Sequence, residues 1–251
     1  MRWAEEHLFD RRSVVQEHEL WRHALEHARG QEVTLRDIQA VTQRRGYVRG
    51  GQFPGKVTTR EVITREWNIV CLAQEGLGRH APLCSGYRPA NSSLDTEQRQ
   101  AVGHILSSRD FVTLFRGGAG TGKSFALREV QAALKRAGRT VQVLAPQRQQ
   151  VADLERDGFT GAQTVSAFLA RHSMPRGAVV LVDEAGQIGG EQMLQLLQCV
   201  KEHDGRVVLS GDTRLQTRTV EAILSVPERY AAVGSEGGAI ETIEVETIKV
   251  E

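Results

Sequence analysis

Two rhythms of apolar and polar positions divide the chain. Before residue 78 the apolar side chains recur at helical spacing. Leu20, Trp21, Ala24, Leu25 and Ala28 form one such stripe. Ser13-Val14-Val15-Gln16 reads as the capping box that opens this helix, and Gly30 closes it. A second box, Thr34 to Asp37, opens a helix with Leu35, Ile38 and Val41 that Gly46 closes. YVRGGQFPGKVTT (47–59) follows, two short β-prone runs around a Gly/Pro-rich turn, which predicts a hairpin. Thr58 to Glu61 then starts a third helix bearing Val62, Ile63, Trp67 and Val70. Helix, helix, hairpin, helix is the outline of a winged-helix-like module, with Leu20, Trp21, Leu25, Ile38 and Trp67 as its expected core.

Gly, Pro and Ser crowd together near residues 78–93, which reads as a linker. Beyond it the pattern changes to short apolar runs separated by helical stretches: FVTLF (111–115), TVQVLA (140–145), AVVLV (178–182) and RVVLS (206–210). Near-continuous apolar strands alternating with helices predict an α/β domain whose parallel sheet is covered on both faces. Ligands bind such sheets at the carboxyl ends of the strands. The tail AIETIEVETIKVE (239–251) alternates apolar and polar residues and reads as a strand. The expected division is therefore a helical module over 1–78, a linker over 79–93, the α/β domain over 94–226 and a β-prone tail over 227–251.

Composition narrows the class. The 251 residues suffice for one α/β domain and a smaller module, and 40% hydrophobic with 25% charged residues is a globular profile. A net charge of +1 gives no global basic signature, so any nucleic-acid contact depends on local patches. Arg44, Arg45, Arg49, Lys56, Arg60 and Arg65 gather around the hairpin, and such a run is more often a solvated face. Cys71, Cys84 and Cys199 are too few and too far apart for a disulfide framework or a zinc site, and they suit a reducing cytoplasm. No apolar run approaches the roughly 20 residues that span a bilayer, and the amino terminus lacks a signal-peptide core. Trp3, Trp21 and Trp67 lie on helical stripes, which favours core packing over base stacking.

Chemistry concentrates at the strand ends. Gly117-Gly118-Ala119-Gly120-Thr121-Gly122-Lys123-Ser124 matches G-x-x-x-x-G-K-[ST] and joins the strand FVTLF to a helix. The glycines let backbone N–H groups face phosphates, Lys123 neutralises the β- and γ-phosphates, and the Ser124 hydroxyl ligates Mg²⁺. A merely structural strand–helix turn has no use for Lys-Ser. Asp183-Glu184 ends the strand AVVLV. Alone, such a pair is more often a helix cap or a solvated loop. Downstream of a phosphate loop, Asp183 suits the metal and Glu184 the attacking water.

The series LDTEQRQAV (94–102), FRGGAGTGKS (115–124), VLAPQRQQVADL (143–154), TVSAFL (164–169), LVDEAGQI (181–188) and LSGDTRLQ (209–216) resembles superfamily 1 helicases of the RecD-like branch. It looks most like the helicase segment of conjugative relaxase-helicases of the TraI/TrwC type. The stretch containing LWRHALEHARG is similar to the segment that precedes that motor. The resemblance implies a RecA-like fold, ATP and Mg²⁺ as cofactors, and single-stranded DNA as a partner. It casts Gln98 as the reader of the adenine edge, although Asp95-Thr96-Glu97-Gln98 is equally a capping arrangement. It casts Gln216 as the γ-phosphate sensor, with Asp212 alternatively a helix cap. It places Pro146, Gln147, Arg148, Thr164 and Ser166 on the DNA backbone, where isolated polar loop residues would otherwise need no role.

A motor of this class needs two RecA-like domains, the second supplying an arginine finger. Residues 217–251 cannot form one. The expectation is a motor half that belongs to a longer protein or works with a separate polypeptide, alongside conjugation machinery. A different class of reading makes the chain a recognition or secretion-signal module with vestigial nucleotide binding. A small-molecule kinase fits less well, because it needs no GDxxxQ block.

Overall fold

The computed structural model describes residues 1–49, 55–87, 93–117, 122–171, 173–211 and 248–250. They fall into two compact units, Met1–Ile69 with Gly189–Leu194, and Val70–Ile188 with the described part of Gln195–Glu251.

The first unit holds α1 (Arg2–Phe9), β1 (Val15–Gln16), α2 (Glu17–His27), α3 (Leu35–Arg44), β2 (Val48–Arg49), β3 (Lys56–Thr58) and the first part of α4 (Arg60–Glu75). The hairpin strands pair antiparallel, Val48 opposite Thr58 and Arg49 opposite Val57. β1 adds to the free side of β3, so the small sheet runs β1-β3-β2. The Thr34 box forms as expected, with Asp37 N donating to the Thr34 hydroxyl oxygen (3.3 Å) and Thr34 N to the Asp37 carboxylate (2.9 Å). The first box does not. Ser13 and Val14 lie outside the helix, Val15 and Gln16 form a strand, and the reciprocal cap is made by Gln16 and Glu19. The strand pairing takes Val15 into the core, where it is 2% exposed, and this moves the cap three residues on. The cap of α4 likewise shifts to Thr59, whose hydroxyl oxygen accepts from Val62 N (3.2 Å), because Thr58 is used in β3.

Leu20 and Ile38 are buried with Ala4, Leu8, Phe9, Tyr47, Val57 and Val62, and Trp21 and Leu25 pack against them. Trp67 is 39% exposed and outside this core. Trp3 is 40% exposed and is stacked between the His7 and His27 rings, at centroid distances of 5.0 and 4.5 Å. The Tyr47 hydroxyl donates to Glu5. Burial first, and the Glu5 carboxylate with it, pushes that phenol well above its ordinary range. Segment 189–194 joins this unit through Gly190 N, which donates to Asp10 O (3.0 Å).

The second unit carries α5 (Thr96–Ser107), β4 (Val112–Gly117), α6 (Lys123–Arg136), β5 (Val141–Ala145), α7 (Arg148–Arg156), β6 (Gln163–Thr164), α8 (Val165–Arg171), β7 (Val179–Val182), a 3-10 turn (Ala185–Gln187), α9 (Gly190–Glu202), β8 (Arg206–Gly211) and β9 (Ile248–Val250). One parallel sheet results, in the order β6-β5-β7-β8-β4-β9. All four apolar runs read in the sequence are strands. Every residue of β7 and β8 is buried, as parallel strands covered on both faces require. The described end of the tail pairs with β4, Gly117 opposite Val250. This is the RecA-like P-loop architecture. No helix among the described residues is long and apolar enough to cross a membrane.

The stretch read as a linker differs in its described part. Cys84 N donates to Leu106 O (2.9 Å), His80 N to Arg109 O (2.9 Å) and Gly78 N to Asp110 Oδ1 (2.7 Å). Leu83 is 2% exposed in the main core. The Tyr87 hydroxyl bonds Glu129 Oε1 (3.1 Å), and burial with that carboxylate raises the phenol to about 12. Buried Arg206, at the start of β8, ties the segment down. Its guanidinium donates to Ala81 O, Ser108 O and Asp110 O, each at 2.8 Å. Burial draws its pKa down to about 10, yet the group remains charged at neutral pH.

Arg206→Met would keep the stem and leave three inward-facing carbonyls without a donor. We expect a loss of about 3 kcal/mol in unfolding free energy. Urea denaturation should show a lower midpoint with an unchanged slope; an unchanged midpoint would remove the anchoring role.

Candidate nucleotide and nucleic-acid site

Because the strands of the sheet point the same way, their carboxyl ends form one rim. Gly117 ends β4, Ala145 ends β5, Thr164 ends β6, Val182 precedes Asp183 after β7, and Gly211 ends β8. The expected site residues that are described all sit on or beside this rim. Gly118, Ala119, Gly120, Thr121 and Gln216 lie outside the described residues.

Lys123 opens α6, and its ammonium donates to Gly117 O (2.8 Å), spanning the mouth of the loop from helix start to strand end. Ser124 follows in the first turn and is partly buried. Gly122 caps the helix at φ 73°, in the left-handed region where glycine is unstrained. A Cβ there would also collide with the Gln98 side-chain amide. Gln98 sits at the third position of α5, where its Oε1 accepts from Asp95 N (3.2 Å) and its own N donates to Asp95 Oδ1 (2.7 Å). The capping arrangement is therefore formed, and the same side chain reaches the end of the phosphate loop.

Asp183 leaves the sheet with its N donating to Leu144 O (2.9 Å). Burial raises its carboxyl above the ordinary carboxylate range. The Glu184 amide, the nearby Ser210 hydroxyl and the Lys123 charge oppose that rise, and Asp157 adds to it. Asp183 Oδ1 is buried without a well-formed hydrogen bond, and so is Ser210 Oγ at the end of β8. Two hard oxygen atoms left unmatched beside a lysine suit a divalent cation and phosphate oxygens. Glu184 has φ 49°, a left-handed backbone that costs a non-glycine residue energy and recurs at functional sites. The 3-10 turn after it places Gln187, whose Nε2 donates to Glu184 Oε2 (3.4 Å).

The residues expected on DNA occupy the neighbouring strand ends. Leu144 pairs with Gln163 and Ala145 with Thr164, so Pro146–Arg148 and Thr164–Ser166 leave the sheet side by side. Gln147 caps α7, Arg148 is exposed in its first turn, and Thr164 Oγ1 accepts from Ala167 N (3.1 Å) at the start of α8. Two residues on this rim were not singled out from sequence, Ser210 and Gln187. Each lies inside a recognised block, LSGDTRLQ or LVDEAGQI, and only the fold shows which neighbours it meets.

Comparison with known proteins places the chain in a family. Residues 93–232 match the family model described as an AAA domain. The probable conjugal transfer protein TraA of Sinorhizobium fredii is 25% identical over 195 residues, covering 74% of this chain and 18% of that protein. The multifunctional conjugation protein TraI of Escherichia coli K12 is 29% identical over 133 residues, covering 48% of this chain and 8% of that protein. The chain thus spans less than a fifth of the length of either relative. Among solved structures, the Pif1 helicase from Candida albicans aligns at 21% identity over 47% of this chain and 32% of its own, with a TM-score of 0.31. With more than half of its length matched by one family model, the chain belongs to the AAA domain family.

Proposed function

We propose that this chain is the nucleotide-binding RecA-like half of a DNA helicase or translocase motor within a conjugative relaxase-helicase. The observation that carries the reading is that Lys123 after β4 and the buried unmatched oxygen of Asp183 with strained Glu184 after β7 lie at strand ends on either side of β8. In this reading residues 94–226 belong to the motor half and residues 1–78 to an accessory module, with the packed stretch 79–87 part of the motor body.

ATP is the ligand this rim suits. The loop Gly118–Gly122 and the start of α6 offer backbone N–H groups to phosphates, and Lys123 exchanges Gly117 O for phosphate oxygens. Ser124 and Asp183 would hold Mg²⁺, which neutralises phosphate charge when bound. Glu184 orients and deprotonates the attacking water. Gln98 reads the adenine edge, and Gln216 senses the γ-phosphate. Pro146, Gln147, Arg148, Thr164 and Ser166 take the backbone of single-stranded DNA. The arginine that meets the developing charge comes from a second RecA-like domain, in cis or in trans. Such an arginine is worth roughly 10³–10⁵ in rate in related phosphoryl transfer.

Three outcomes test this. In calorimetry, MgATP binds the wild-type chain in the range of roughly 1 μM to 1 mM, and Lys123→Ala loses most of that affinity. Equal binding by both proteins would overturn the phosphate-loop assignment. Steady-state ATP turnover by the chain alone is slow, and Glu184→Gln lowers it further; robust turnover surviving that substitution would remove Glu184 from the mechanism. Asp183→Asn tests the metal assignment without turnover. A buried carboxylate whose folded pKa is raised contributes instability above its unfolded pKa, which grows as pH rises to the folded value. Asp183→Asn therefore unfolds at a higher temperature than wild type at pH 7 without ligand, and it loses the extra stabilisation that Mg²⁺ adds to ATP. A variant that melts lower and keeps the Mg²⁺ effect contradicts both points.

A further inference from the structure

We infer that Gln187 couples the nucleotide side of the rim to its DNA side, through a chain of side-chain amides running from Glu184 to Gln147. The inference rests on the reading above and adds a positioning residue to it.

The geometry is specific. Gln187 ends the 3-10 turn, and its backbone N donates to Glu184 O (2.9 Å), which holds its side chain beside the Glu184 carboxylate. Gln187 Oε1 accepts from Gln147 Nε2 (3.0 Å) and from Gln150 Nε2 (3.0 Å). Gln187 Nε2 then donates to Glu184 Oε2 (3.4 Å). The two donors fix the amide orientation. A flipped Gln187 would set its NH₂ against two others and its carbonyl against a carboxylate. Two N–H groups on the carbonyl oxygen also polarise the amide and make its Nε2–H a better donor toward Glu184. The last bond is long and has room to tighten.

The other end of the chain is equally well tied. Gln147 caps α7, and its backbone N donates to Gln150 Oε1 (3.0 Å). The two amides that grip Gln187 therefore move with the start of α7. That start, Pro146–Arg148, is the strand-end turn placed against the DNA backbone. A phosphate oxygen is a stronger acceptor than a neutral amide and competes for Gln147 Nε2. DNA engagement thus loosens Gln187 at one end and changes its hold on Glu184 at the other. Because coupling between two ligands is reciprocal, nucleotide at Glu184 alters the grip on DNA by the same factor.

Two substitutions isolate the device. Gln187→Met keeps the length and removes every hydrogen bond of the amide. Gln187→Glu keeps an acceptor for Gln147 and Gln150 and removes the donor to Glu184. Calorimetry on the whole chain measures the affinity of a slowly hydrolysed ATP analogue with Mg²⁺, with and without saturating oligothymidylate. The wild-type ratio departs from unity by about five-fold or more, within the usual range of such couplings. In both variants the ratio returns to within about two-fold of unity, and in Gln187→Met the affinity for each ligand measured alone stays near the wild-type value. A residue that only stabilises the fold would lower both affinities and leave the ratio. Coupling retained by either folded variant overturns the proposal, as does a wild-type chain that binds both ligands without coupling. A wild-type chain that binds no nucleotide overturns the motor reading itself, and the relay with it.

Discussion

Burial of the parallel strands on both faces is the constraint from which the rest of the second unit follows. β7 and β8 offer no exposed residue along their length, so polar chemistry has nowhere to sit except where the strands stop. Sharing one direction, they all stop on one side. Lys123, Asp183, Glu184, Ser210 and Gln147 are gathered there by topology rather than by sequence proximity. The same burial sets the electrostatics. An Asp at the end of a fully buried strand has lost most of its water, and the Ser210 hydroxyl and the Lys123 charge only partly compensate.

The sheet was legible in the sequence because a doubly covered strand must be an unbroken apolar run, and four such runs occur. The expected phosphate loop and acidic pair rest on local spacing, which the sequence states without the fold. The first unit was harder. α1 reads RWAEEHLF, with only Ala4, Leu8 and Phe9 turned inward, and nothing local marks it as a helix. Ser13 looks like a better cap than Gln16, but the pairing of Val15 with Val57 is a tertiary fact that takes precedence. Trp67 follows the apolar stripe of α4 and still stands outward. Gln187 and Ser210 were hidden for a related reason. Their meaning lies in a neighbour reached across strand ends, Gln147 for one and Asp183 for the other.

The rim is held in place by its own contacts. The Lys123 ammonium already lies across the loop mouth on Gly117 O, and Glu184 already sits in a backbone conformation it would not choose alone. On the proposed function, groups held in this way would not need to reorganise as charge develops, which is how a polar site differs from the water it replaces. The cost is carried by the surrounding fold, through the turn that holds Gln187 N on Glu184 O and the strand that fixes Asp183 N on Leu144 O.

The anchored segment before the α/β domain separates two kinds of boundary. Family similarity begins at residue 93. The folded body starts earlier, since Leu83 fills its core and Ala81 O receives a buried cation. Glycine, proline and serine announce a stretch without helix or strand, and they say nothing about whether it is packed. A chain cut where the similarity starts would leave the Arg206 guanidinium short of one carbonyl and the core without Leu83. What is inherited as a recognisable module and what can fold as one are, in this chain, different lengths of polypeptide.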